Sequence, residues 1–230
     1  MERVSIKSGK VPIILVSPHG FQGNDENTAM LTEMTSLLLN SYYVINRGWE
    51  RDAKVDIFKD KANCNSVNHC MEDVVREEFL EPIINFKNRI LKTNSLCYIY
   101  YIHGMASIHR TIVANPKLDL VVGWGDGNPA SPSCDPWRAN AFCSLLWSAD
   151  IEAYQGKPGG AMAGWARDNM NQLFRKWYFE NKVQSMQLEI IWEKRKDKGT
   201  CALTAAQLAE AMQEMLNKNH YRGIREFKKY

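Results

Sequence analysis

The stretch "VPIILVSPHGFQGNDENTAM", residues 11–30, decides the fold and points to a function. Its apolar run predicts a strand over residues 12–17. The run ends in Ser-Pro-His-Gly, and two carboxylates, Asp25 and Glu26, follow within seven positions of His19. A strand that only packs a core does not need an imidazole at its end, whereas a strand that delivers a ligand or a base to a cleft does.

The composition bounds the class of protein. The chain has 230 residues, 45% of them hydrophobic and 24% charged, so it can bury a sizeable core, and we expect one domain over residues 1–230. A formal charge of +3 is too small to indicate nucleic-acid binding. The apolar runs are too short to cross a bilayer, and no signal-peptide pattern is present. Six scattered cysteines without a CxxC pair indicate reduced thiols in a cytoplasmic protein and disfavour a cysteine-based zinc site.

Helical and strand patterns alternate along the rest of the chain. Such alternation predicts an α/β fold, a three-layer αβα sandwich around a mostly parallel or mixed sheet. We expect Pro82 to kink or divide the long helix in which it lies. After residues 12–17, the predicted elements are a helix at 26–40, the strand "YYVIN" and the helix "HCMEDVVREEFLEPIINFKNRILK". The strands "LCYIYYIHG" and "LDLVVGW" follow, with "HRTIVAN" between them as a further candidate strand. The last elements are the helix "PWRANAFCSLLWSAD", a helix near 166, the strand "VQSMQLEII" and the helix "TAAQLAEAMQEMLNKN".

Ionisable residues lie at the ends of three of these strands. His19 and His103 each precede a glycine, and Glu189 stands in an otherwise apolar strand. Sites in α/β sheets form at the carboxyl ends of strands. A catalytic zinc ion needs three His or carboxylate ligands and an open position, which the two histidines and a carboxylate from "NDENT" could supply. Glu189 would then be the spare carboxylate that accepts a proton.

Each of these residues also has a purely structural interpretation. A histidine at a strand end is more often a hydrogen-bonded structural residue than a ligand, and either Asp25 or Glu26 could favour the dipole of the following helix. Cys64 with His69 suggests a thiol nucleophile, but their spacing shows neither a nearby base nor a lowered pKa, and we disfavour it.

With those residues identified, the chain resembles the N-formylglutamate amidohydrolase family, a branch of the zinc carboxypeptidase-like and aspartoacylase-like hydrolases. The "SPHG" end of the first strand is similar to the family's Pro-His-Ser-Gly element, and "IHG" to its second histidine motif. The segment "KPGGAMAGWA" is similar to its paired-glycine segment, and "VQSMQLEI" to its Gln-Leu-Glu strand. The four matches fall in the same order and span residues 17–190.

The resemblance implies a zinc carboxypeptidase-like fold and a zinc-dependent hydrolase that acts on an amide bond in a small N-acyl amino acid or peptide-like substrate. His19 and His103 would be metal ligands, and Glu189 the general base and later the proton donor to the leaving amine. Both Asp25 and Glu26 lie near the expected third ligand. We favour Glu26, because "GNDENT" is similar to the Gly-Asn-Glu segment of the aspartoacylase-like relatives.

The resemblance also bears on substrate binding. It assigns Gly159 and Gly160, of the paired-glycine segment, to the substrate site. Relatives carry an Asp-X-Asn-Arg motif whose arginine holds the substrate carboxylate. Here the nearest stretch is "KANCNSVN", with Asn63 and Asn65 as candidate binding residues and Ser66 where that arginine would fall.

Other arginines could replace the missing charge. Arg47 and Arg51, or Arg167 after the paired glycines, are candidates, and each fits a surface or salt-bridging role equally well. If His103 is not a ligand, His109 is the next candidate. The alternative function is a non-catalytic metal- or small-ligand-binding protein on the same fold.

Overall fold

The computed structural model describes residues 3–20, 25–48, 63–107, 117–127 and 131–222. Seven strands within these ranges form one mixed sheet in the order β1-β3-β2-β4-β7-β5-β6. The strands are β1 (Val4–Lys7), β2 (Ile13–Ser17), β3 (Tyr42–Asn46), β4 (Cys97–Met105), β5 (Leu120–Gly123), β6 (Ala153–Gln155) and β7 (Val183–Ile191). The predicted strands "YYVIN" and "VQSMQLEII" are therefore confirmed.

Four central strands run in the same direction. Strands β3, β2, β4 and β7 pair in parallel, whereas β1 and β5 join the sheet antiparallel to β3 and β7. All five residues of β2 are buried, as expected of a parallel strand that is covered on both faces. The parallel directions bring the carboxyl ends of β2, β4 and β7 to one edge of the sheet, where the polar strand-end residues lie.

Helices cover both faces of the sheet. The helices are α1 (Thr28–Leu39), α2 (Val67–Cys70), α3 (Asp73–Val75), α4 (Glu81–Ile90), α5 (Pro136–Ser148), α6 (Arg175–Phe179) and α7 (Lys198–Arg222). One buried core joins residues of α1, α5 and α7 to one face, and a second joins residues of the α2–α4 region to the other. Successive residues of β2 divide between the two cores, Ile13 and Leu15 in the first, Ile14 and Val16 in the second. The predicted three-layer αβα sandwich with a mixed sheet is confirmed.

Pro82 divides the long amphipathic segment, as predicted. It occupies the first turn of α4, and a π-helical stretch, Arg76–Leu80, precedes it. Proline has no backbone N–H and crowds the preceding turn, so a regular α-helical hydrogen-bond pattern cannot run through this point. The amphipathic pattern still buries Phe79, Ile83 and Phe86 against the sheet.

The start of α1 differs from the sequence prediction. The acidic residues lie before the helix, whose first turn contains no carboxylate, and Asn27 makes no capping hydrogen bond with its side chain. Asn27 adopts the left-handed region, with φ 65°, and its side-chain amide donates to the backbone carbonyl of Arg195 at 2.8 Å. The polar segment before α1 is therefore tied to the chain that follows β7.

Other elements differ from the sequence prediction or lie outside the described residues. The short edge strands β1 and β6 were not predicted, and the helix expected near residue 166 is replaced by the 3₁₀ turn Met170–Gln172 followed by α6. The candidate strand "HRTIVAN" lies outside the described residues. Within the described part of the chain, none of the helices combines the length and apolar character needed to cross a membrane.

The packing of β2 predicts a large effect of a core truncation. Leu15 is fully buried in the first core, so Leu15→Ala should lower the free energy of unfolding by about 2–5 kcal/mol through lost burial and the cavity left behind. Leu37, 67% exposed on α1, offers a matched control, because Leu37→Ala should change stability by less than about 0.5 kcal/mol. Urea denaturation measures both. Equal losses in the two variants would contradict the described packing of β2.

Candidate metal centre

Three side chains converge at the carboxyl edge of the sheet. His19 lies two residues beyond the end of β2, His103 lies near the end of β4, and Asp25 comes from the segment before α1. Their potential ligand atoms all lie within 4.8 Å of one another. The two imidazole rings are 5.3 Å apart between centroids and are tilted by 52°. Two imidazoles and one carboxylate at this separation could hold a metal ion.

The acidic member of this group is Asp25 and not Glu26, the residue that the sequence favoured. Asp25 Oδ2 lies 3.2 Å from His103 Nδ1. The neighbouring Glu26 contributes its backbone carbonyl to a hydrogen bond from Arg195, and its side chain lines an adjacent cavity. The physical reason is the backbone path into α1. Successive side chains point in different directions, and this path directs Asp25 toward the histidines.

Burial and charge act in opposite directions on Asp25. Burial alone would raise its pKa, but the hydrogen bond with His103 and the charges of His103 and His19 lower the pKa below its ordinary value. Asp25 is thereby kept ionised although its side chain is only 13% exposed. An ionised carboxylate beside two imidazoles is the protonation state that suits a metal ligand.

Glu189 lies beside His103 on the neighbouring strand. The parallel register of β4 and β7 pairs these two residues, so their side chains leave the same face of the sheet. Burial raises the pKa of Glu189, and the charge of His103 opposes that shift. A carboxylate held close to a cationic or metal-binding group, with a raised pKa, has the properties of a proton acceptor and donor.

Two amide side chains orient Glu189. Gln187 Nε2 donates to Glu189 Oε1 at 2.6 Å, and Asn169 Nδ2 donates to Gln187 Oε1 at 3.0 Å. Gln187 is 2% exposed and lies two residues before Glu189, so both side chains are on the same face of β7. Gln187 is part of the Gln-Leu-Glu match, but neither amide was predicted to have a role. The two-residue spacing of Gln187 from Glu189 was the available signal.

The stretch expected to bind substrate, which contains Asn63, Asn65 and Ser66, is connected by backbone contacts to the segment that carries Asn169. Asn63 Oδ1 accepts a hydrogen bond from Asn65 N at 2.8 Å, and the carbonyl of Asn65 accepts one from Met170 N at 3.0 Å. Ser66 forms an isolated β-bridge with Asn169 and donates its hydroxyl to Asp168. This stretch therefore supports the amides behind Glu189.

Arg47 lines a cavity at the start of α1. The cavity, of about 410 Å³, is bordered by Gly20 and Glu26, which adjoin His19 and Asp25 in sequence. Arg47 forms an ion pair with Glu33 in the same wall. The cavity wall thus contains one cationic and two anionic residues, Arg47, Glu26 and Glu33.

The other predicted residues lie elsewhere or outside the described ranges. Arg167 is exposed, and Gly159 and Gly160 form a turn whose Gly159 N–H donates to the carbonyl of Asp126. Arg51 and His109 are not among the described residues. Cys64 is fully buried in the second core, which excludes its thiol from contact with a substrate and argues against the thiol-nucleophile reading.

A buried arginine that was not predicted also lies at this edge of the sheet. Arg195 follows β7 and is 5% exposed, with its guanidinium near Asp25, Glu189 and Glu26. Burial lowers the pKa of Arg195, and the charge of Asp25 is the largest influence in the opposite direction. Nothing in the pattern "IIWEKRK" distinguishes this arginine from the neighbouring lysines, so its burial could not be predicted from the sequence.

Comparison with known proteins shows the fold. No family model and no curated protein sequence matches the chain. Among solved structures, a gene product of Agrobacterium tumefaciens is similar with a TM-score of 0.63, at 13% identity over 96% of this chain and 97% of that one. N-formylglutamate amidohydrolase from Ralstonia eutropha JMP134 has a TM-score of 0.58, at 12% identity over 97% and 100%. A bacteriophage poly-gamma-glutamate hydrolase has a TM-score of 0.55, at 16% identity over 96% and 90%.

The position of Asp25 predicts a difference between two adjacent acidic residues. Asp25→Asn removes the anionic oxygen beside His103 and should abolish or strongly reduce bound metal, whereas Glu26→Gln should retain it. Elemental analysis of the purified, dialysed variants measures the metal content, with thermal unfolding as a check that each is folded. Metal loss in Glu26→Gln alone would return the ligand role to Glu26.

Proposed function

We propose that the protein is a zinc-dependent hydrolase of an amide bond in a small N-acyl amino acid or peptide-like substrate. The observation that carries the proposal is the group of His19, Asp25 and His103 with Glu189 beside it in the register of the sheet. Three ligands of this type, with a carboxylate next to them, are the arrangement of a catalytic zinc site. The fold shared with N-formylglutamate amidohydrolase and poly-gamma-glutamate hydrolase supports this class of reaction.

The donor set fits zinc. His103 Nδ1 and Asp25 Oδ2 lie 3.2 Å apart, so an imidazole nitrogen and a carboxylate oxygen already face each other at the candidate centre. Imidazole nitrogen and carboxylate oxygen are both ordinary zinc ligands, and three protein ligands leave one position for the reaction. A bound zinc ion would supply Lewis-acid activation of water and of the amide carbonyl.

Glu189 would move the proton. Its Oε1 accepts the hydrogen bond from Gln187, so we assign Oε2 to take the proton from the attacking water and to deliver it to the leaving amine nitrogen. The raised pKa of Glu189 brings the carboxyl closer to the neutral range in which it can both accept and release a proton. Gln187 and Asn169 would fix the rotation of the carboxylate during both transfers.

The substrate would differ from formylglutamate in how it is held. Ser66 stands where relatives have a carboxylate-binding arginine, and its hydroxyl is engaged by Asp168. Arg47 would take over recognition of an anionic group, in the cavity beside Gly20 and Glu26. The ion pair with Glu33 would weaken that recognition, because the Glu33 carboxylate and the anionic group of the substrate would compete for Arg47.

The proposal is tested first with the wild-type protein. Elemental analysis should give about one zinc per chain, and a screen of N-acyl amino acids and short peptides should show turnover that a chelator removes. His19→Ala and His103→Ala should each lose the zinc. Bound zinc without turnover of any amide, ester or peptide would favour the non-catalytic binding protein instead.

Glu189 should separate metal binding from chemistry. Glu189→Gln should retain zinc and lower kcat by roughly 10²-fold or more, because the variant keeps the shape of the side chain but cannot accept a proton. Glu214→Gln, an exposed position on α7, is the matched control and should leave kcat unchanged. Zinc content and steady-state rates are measured on the same preparations. Loss of zinc would make Glu189 a ligand, and an unchanged kcat would remove it from the mechanism.

The Arg47–Glu33 pair should govern affinity for anionic substrates. Arg47→Gln should raise KM for a substrate with a free carboxylate roughly tenfold or more, with a small effect on kcat, because a charged hydrogen bond is lost. Glu33→Gln should lower KM, because Arg47 is then free of its competing partner. Arg76→Gln disrupts an exposed ion pair with Glu81 and is the control. Unchanged KM values in both cavity variants would place the substrate elsewhere.

A further inference from the structure

We propose that Arg195 is a positioning residue for the metal centre, holding the segments that carry Asp25, His103 and Glu189 in fixed relation to one another. The inference rests on the proposed function for the identity of the bound ion. The arrangement of the guanidinium is independent of that identity. In this role Arg195 acts through backbone hydrogen bonds and does not bind the ion or a substrate itself.

The guanidinium donates to three backbone carbonyls from three different segments. Nε donates to the carbonyl of Ile190 at 3.1 Å, and one terminal nitrogen donates to that of Met105 at 3.4 Å. The other terminal nitrogen donates to the carbonyl of Glu26. Each acceptor lies within two positions of a candidate site residue: Ile190 follows Glu189, Glu26 follows Asp25, and Met105 is two residues after His103.

The backbone of Arg195 adds a fourth connection. Its carbonyl accepts the side-chain amide of Asn27 at 2.8 Å. The segment that delivers Asp25 is thus held on both sides, through the carbonyl of Glu26 and through the side chain of Asn27. This double attachment explains why Asn27 keeps a left-handed backbone without capping α1.

Two neighbours seat the guanidinium. Trp192 lies beneath it, with 5.3 Å from the guanidinium carbon to the ring centroid. Gly104 leaves the space that the group occupies, because a Cβ atom at this position would overlap it. A glycine is therefore needed after His103, because Arg195 approaches the end of β4 closely.

A lysine cannot reproduce this arrangement. The guanidinium is a planar fork with donors in fixed directions, whereas an ammonium group is one charged nitrogen on a flexible stem. A lysine would keep the positive charge near Asp25 and Glu189 but could not join three carbonyls in these positions. Arg195→Lys consequently separates the geometric role from the electrostatic one.

The experiment compares zinc affinity in two test variants and two control variants by chelator competition, at a temperature where all four are folded. Arg195→Lys should weaken zinc binding about 10- to 100-fold, the usual cost of losing a group that orients ligands. Gly104→Ala should weaken zinc binding similarly, since the added Cβ atom displaces the guanidinium without removing it.

Arg138→Lys is the matched control. Arg138 is also a buried arginine but bonds to Asp135 and Tyr98 on another part of the fold, so zinc affinity should change by no more than about twofold. Gly48→Ala, where a Cβ meets no neighbour within 4 Å, controls for the glycine change.

A second measurement uses the metal-free protein. Amide hydrogen exchange in residues 25–28 should be at least about tenfold faster in Arg195→Lys and Gly104→Ala than in wild type, and unchanged in Arg138→Lys. Unchanged zinc affinity and exchange in Arg195→Lys would overturn the positioning role, as would equal effects in Arg138→Lys. If wild type binds no zinc, the proposed function fails, and the exchange measurement alone decides the role of Arg195.

Discussion

The pairing of β4 with β7 is the constraint on which the rest of the structure depends. These two nine-residue strands pair in parallel from Cys97 and Val183 to Met105 and Ile191, at the centre of the sheet. Because side chains alternate between faces, a shift of one residue would turn Glu189 away from His103 and toward the opposite core. The apolar residues on both faces oppose such a shift, so the same burial that stabilises the sheet also sets the spacing of the catalytic candidates.

The centre concentrates ionisable groups at the edge of an apolar sheet. Asp25, Glu189 and two imidazoles would be costly to bury as isolated charges. The cost of burying the two carboxylates is reduced by neighbouring groups: His103 lies in hydrogen-bond contact with Asp25, Gln187 donates to Glu189, and the Arg195 guanidinium lies near both. A divalent cation would complete this balance, because its two positive charges would offset the negative charges of Asp25 and Glu189.

The sequence predicted the layers of the fold and the strand ends well, because both follow from local pattern. Apolar runs define the central strands, and the carboxyl ends of parallel strands lie at one edge, so His19, His103 and Glu189 could be expected to meet. The choice between Asp25 and Glu26 could not be made in this way. It depends on the backbone path before α1, where Glu26 and Asn27 are held by hydrogen bonds to Arg195, a residue from a distant part of the chain. The short edge strands β1 and β6 were missed because three or four residues carry too little pattern.

The hydrogen bonds around the centre have a consequence for how the chain folds. They join positions 78, 102 and 169 residues apart, between Asp25 and His103, Ser66 and Asp168, and Glu26 and Arg195. Contacts of this sequence separation close large loops, whose entropy is lost before the contacts can stabilise the chain, and they form slowly. A nascent chain that has emerged only as far as β5 already carries His19, Asp25 and His103, yet lacks β7 and Arg195. We therefore expect the candidate centre to form late in folding, and metal binding there would report on completion of the whole sheet.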